Sequence, residues 1–265
     1  MSGIVRSELT RCRRASFRVG WLGVTALFTV LMTVFVFSAP AHGLSGNTQG
    51  PAGVFPTATQ LAGSHGMVTT LATASTFLGV VTLSFWAISA ASDYTSGLIR
   101  VIVQAEPRRM RLLAGKVAAL AVWTAAATTV AVAASCLSAI GMATTSGISM
   151  SHWWTGIAAT IAGAWIDTYL ALLVWGVIGL VIAVLTKSST LAIAGGVAYV
   201  LIVESVFKLV ASGLSHWLPG SVLTALASGG SADVTYASAV VLGAAYAAAG
   251  LAAATIAFSR RDIVE

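Results

Sequence analysis

A chain of 265 residues with 57% apolar and only 8% charged side chains has too little polar surface for a water-soluble fold, and its mean hydropathy of +0.92 is that of a polytopic membrane protein. Its net charge of +6 reflects topology and argues against nucleic-acid binding, because 13 of the 14 Lys and Arg separate apolar runs on one side only. Cys12 lies in a basic segment and Cys136 inside an apolar run, so no disulfide framework is expected.

Residues 1–18 predict a short amphipathic helix in the cytoplasmic headgroups. Val5, Leu9 and Cys12 share one face, Arg6, Arg13, Arg14 and Arg18 lie mostly on the other, and Glu8 interrupts the apolar side. Gly20–Ser38 is the first span. Ala39-Pro40-Ala41 after it resembles a signal-peptidase site, but the long basic region and long apolar run favour an uncleaved helix. Residues 39–66 contain no Lys, Arg, Asp or Glu and read as an exported loop. Met67–Ala90 returns as the second span, residues 91–112 form a charged cytoplasmic loop, and Leu112 to about Gly141 is the third span. The uncharged loop 142–156 closes on His152, Trp153 and Trp154, an aromatic belt before the fourth span, Gly156–Leu185. Thr186-Lys187-Ser188-Ser189 turns directly into a fifth span, Thr190–Ala211. Residues 212–235, without Lys or Arg, form a third exported loop in which Leu214–Pro219 lies at the interface or dips into it. A dipping segment has to satisfy its backbone against protein or water. The sixth span, Tyr236–Phe258, carries Gly243, Ala247, Gly250 and Ala254 as a close-packing stripe. The expected architecture is all-α, with six transmembrane helices over residues 19–265 and both termini cytoplasmic.

No G-x-x-x-x-G-K-[ST], H-E-x-x-H, C-x-x-C or G-x-S-x-G occurs, so neither ATP hydrolysis nor a motif-based enzyme activity is expected of the chain itself. Asp167, about ten residues into the fourth span, is expected roughly 15 Å deep, near the midplane. An acid there either lines a substrate or proton pathway or fixes helix contacts. Glu204 and Lys208 are spaced i to i+4, which suits a structural ion pair or an outer gate. His42, His65, His152 and His216 all fall in the exported loops without ligand-like local spacing, and no metal site is expected.

The stretch Ala91–Lys116 stands apart, with seven of the 22 charged residues in 26 positions between two apolar runs. Its order of Asp93, Ser96 with Gly97, Arg100, Pro107 with Arg108, and Lys116 resembles the cytoplasmic loop of the permease subunits of type-2 ATP-binding-cassette (ABC) exporters. The six-span layout and the tail Phe258-Ser259-Arg260-Arg261-Asp262 are similar to that family as well. The resemblance implies a plasma-membrane permease whose loop 91–112 docks as a coupling helix on a separate cytoplasmic P-loop ATPase. It implies a second permease copy or homologue, ATP and Mg on the partner subunit, no cofactor on this chain, and outward movement of a drug, lipid or hydrophobic peptide. Two alternatives stand beside it: a proton- or ion-coupled secondary transporter using Asp167, and a membrane-embedded enzyme with the exported histidines at its site.

Overall fold

The computed structural model describes residues 15–42, 44, 49–50, 53–95, 109–210, 212–231 and 233–260. Most of the amphipathic helix expected over 1–18 lies outside them. Long apolar runs satisfy their own backbone as helices: α1 (Ala15–Ser38), α2 (Ala58–Ala62), α3 (Thr69–Thr95), α4 (Arg109–Ser146) and α5 (Ile157–Thr186). Then α6 (Ser189–Ala198) runs through a π turn, Tyr199–Val203, into α7 (Glu204–Val210). A 3-10 stretch, Ser212–Trp217, leads to α8 (Pro219–Ala227), and α9 (Tyr236–Arg260) closes the chain. Gln49–Gly50 and Gly53–Val54 make a two-residue antiparallel pairing.

Five of these helices, α1, α3, α4, α5 and α9, are long and apolar enough to cross a bilayer, so the chain is a multi-pass membrane protein. They coincide with five of the predicted spans to within a few residues. The stretch expected as the fifth span is the jointed rod α6–π–α7 instead of one regular helix.

The centre of the bundle is the α3–α5 contact, where each helix offers a glycine to a tryptophan of the other. Trp175 fills the space over Gly79, Trp86 fills that over Gly176, and Gly179 lies against the backbone of Leu83. Trp86 is fully buried and donates to Thr124 Oγ1 at 3.0 Å, which adds α4 to the same joint. In the small-residue stripe, Gly250 lies against Val177 of α5, and Gly243 meets Leu226 and Leu223 of α8 and Val174 of α5. Towards one end a hydroxyl ladder crosses three helices: Thr33 Oγ1 to Thr70 Oγ1 at 3.2 Å, Thr70 to Ser135 at 2.7 Å, and Ser135 to the Met67 carbonyl at 3.1 Å. Such bonds join helices where no water competes.

The two ends of the bundle differ chemically. At the cap end, Phe37, Leu61, Met67, Ala143 and Trp153 form a small core of their own, with Trp153 Nε1 donating to the Leu61 carbonyl at 2.9 Å. The 38 residues of α4 span about 57 Å, well beyond a hydrocarbon core of about 30 Å, and the last turns of α4 support this cap. The opposite, basic end carries Arg18, Arg111, Lys116 and Lys187. There α5 stops at Lys187, whose left-handed backbone (φ 54°) lets its N–H reach the Ala183 carbonyl at 2.9 Å.

Candidate functional site

The height of each side chain follows from helix register. The Tyr236 hydroxyl donates to Asp167 Oδ1 at 2.6 Å, so α9 begins at the height of Asp167. Counting back an equal number of residues along the parallel helices from the Leu83–Gly179 contact brings Leu71, in the first turn of α3, to the same height. From Asp167 to Lys187 the packed length is about 20 residues, or ~30 Å. Asp167 lies ten residues after Ile157, the first residue of α5. Before it in α5, Ile157 packs on the cap core and Ile161, Ala164 and Trp165 pack beside Leu71, Leu78 and Ala131.

The mid-depth acid is Glu204, 3% exposed. Its carboxylate accepts from the backbone N–H of Gly220, in the first turn of α8. Pro219 starts that helix with its fixed φ and no donor, so the next N–H has no intrahelical partner. A carboxylate satisfies this group and sits at the positive end of the helix dipole. The π turn aligns residues five apart, and the Glu204 N–H bonds the Tyr199 carbonyl, so Tyr199 and Glu204 share a face. The Tyr199 hydroxyl hydrogen-bonds the same carboxylate, and Tyr246 lies within its electrostatic reach. Beside this group Leu83, Trp175, Ile178, Gly196, Tyr199 and Tyr246 line a cleft of about 490 Å³. The backbone of Lys208 lies in α7, while its side chain is outside the described residues, as is any pairing with Glu204 made by that side chain.

α8 itself is the element that the sequence hid. Within what reads as an exported loop, nine residues form a helix whose Val222, Leu223, Ala225, Leu226 and Ala227 are buried against α3, α5 and α9. Thr224 and Thr76 hydroxyls meet at 3.3 Å. Glu204 supplies the backbone partner that the first turn of this helix needs. The signal available was Leu218-Pro219-Gly220 followed by an apolar stretch with small residues, a helix start in the middle of a charge-poor loop.

At the basic end the structure joins two residues of the Ala91–Lys116 stretch. Lys116 Nζ forms an ion pair with Asp93 Oδ2 and donates to the Ser89 carbonyl at 2.8 Å, with Asp93 9% and Lys116 8% exposed. This pair clasps the end of α3 to the start of α4. Ser96, Gly97, Arg100, Pro107 and Arg108 lie outside the described residues. Among the described residues no three His, Cys, Asp or Glu converge as a metal site. Trp21 and Trp153 are packed inside, Trp21 stacked on Phe85 at 5.3 Å.

The family described as a protein of unknown function, DUF2705, matches residues 26–264, and the chain belongs to that family. No curated protein matches the chain.

Proposed function

We propose that the chain is the membrane-spanning permease subunit of an ABC exporter. It crosses the plasma membrane six times with both termini cytoplasmic and moves its substrate outward on energy from a separate P-loop ATPase, where ATP and Mg are bound. The sidedness rests on the basic end, since Lys and Arg are retained on the cytoplasmic side. The fifth of the six crossings is the jointed rod α6–π–α7, about 22 residues long and long enough at ~33 Å. A second permease copy completes the pathway, and no nucleic acid takes part.

The observation that carries this reading is the buried Asp93–Lys116 clasp. A partner pushing on residues 96–108 moves α3 and α4 as one unit, because the helix ends flanking that segment are tied together. Trp86, bonded to Thr124 and seated over Gly176, passes the displacement to α5, and Leu83 passes it to Gly196 beside the Glu204 cleft. The ion-coupled alternative has less support, because the Asp167 carboxylate is engaged by Tyr236 and the Glu204 carboxylate by Gly220 and Tyr199.

The test is affinity purification of the tagged chain from its native host. A P-loop ATPase is expected to co-purify with the wild type and to be weakened by Arg100→Glu or Gly97→Pro at unchanged membrane levels. Absence of any ATPase from the wild-type complex, or transport that follows a proton gradient without ATP, overturns the assignment.

A further inference from the structure

A second cleft, of about 480 Å³, opens at the cap end between the 3-10 stretch Ser212–Trp217 and the start of α9, large enough for a drug-sized body. Its apolar wall is Val234, Val241 and Leu242, and its polar side carries Trp217, His216 and Asp233. Trp217 is 54% exposed yet held at two points: its carbonyl accepts the Tyr246 hydroxyl, and the His216 ring lies 5.5 Å away at 50°. An exposed indole lining the same cleft as a carboxylate and an apolar wall is the chemistry that recognises a cation with a greasy body. Tyr246 also lines the mid-depth cleft, so one hydrogen bond connects the two cavities.

We propose that this cap-end cleft binds an amphiphilic organic cation, its charge on Trp217 and Asp233 and its apolar part against Val241 and Leu242. The inference deepens the exporter reading by naming the substrate class, but it needs no ATPase to be tested. Purified protein in uncharged maltoside micelles is dialysed against radiolabelled tetraphenylphosphonium and, separately, against tetraphenylborate, an anion of nearly the same shape. Saturable binding of the cation alone is expected. Asp233→Asn and Trp217→Leu should each weaken it roughly two- to fivefold, the size of one exposed cation–π or carboxylate contact, while Asp233→Glu stays near wild type. Both side chains are exposed, and thermal melting confirms that the variants fold. No saturable cation binding, equal binding of the borate, or wild-type affinity in either weakened variant overturns the site. Those results leave the ATPase co-purification untouched, and loss of the ATPase partner leaves cation binding untouched.

Discussion

A carboxylate midway through an apolar bundle is costly unless its oxygens are bonded, and Glu204 meets that demand by serving the backbone of another element. Two substitutions separate its charge from its acceptor oxygen. Glu204→Gln keeps an oxygen for the Gly220 N–H, whereas Glu204→Ala strands that donor in the interior. The alanine variant should melt lower, with a gap of about 1–3 kcal/mol in unfolding free energy between the two. Equal stability would mean that the Glu204–Gly220 bond contributes nothing. The basic-end pair answers to a different balance. Removing one partner of a buried ion pair costs about 3–5 kcal/mol, but replacing both by apolar groups is often neutral. Asp93→Leu and Lys116→Met should each lower the melting temperature in detergent, and the double variant should regain most of the loss. Residue identities were legible in the sequence at both places, but their geometry was not. Asp93 and Lys116 read as members of one polar stretch, with no sign that they face each other.

At the scale of elements, long spans announce themselves by hydropathy and short ones do not. Five helices of 22 or more residues were readable from composition alone. α8, nine residues in a loop of Gly, Ser and Ala, lacked the length on which such reading depends, and its burial comes from α3, α5 and α9 together. The π turn was equally silent, since the extra residue in its wider turn leaves no mark in hydropathy. The α3–α5 joint shows what the central glycines are for. A Cβ at Gly179 would strike the backbone of Leu83, which no rotamer change can relieve. A Cβ at Gly141 in α4 would meet nothing within 4 Å. Gly179→Ala should therefore destabilise by about 1–3 kcal/mol through forced separation of the helices. Gly141→Ala should stabilise by about 0.5–1 kcal/mol through helix propensity. Thermal melts of the two variants should move in opposite directions, and a neutral Gly179→Ala would show that the close approach of α3 and α5 is not needed.

For the whole molecule, the packing groups the loops and the basic-residue asymmetry gives them a side, and these two claims can be tested together. Trp153 bonded to the Leu61 carbonyl, and Tyr236 bonded to Asp167 near the start of α5, bring residues 142–156 and 228–236 to one end of the bundle. Lys187 lies at the other end, about 20 residues along α5 from Asp167. Single cysteines at Ser149, Ser231, Ala105 and Lys187, in a background with Cys12→Ser and Cys136→Ser, report both. Ser149→Cys and Ser231→Cys should react with an impermeant maleimide in intact cells, because both positions are exposed at the cap end. Ala105→Cys and Lys187→Cys should react only after permeabilisation. Labelling of the first pair from opposite sides would contradict the helix packing itself, since one end of a bundle cannot face both compartments. Labelling of all four positions with inside and outside exchanged would preserve the packing but reverse the orientation, placing the Asp93–Lys116 clasp where no cytoplasmic ATPase can reach it.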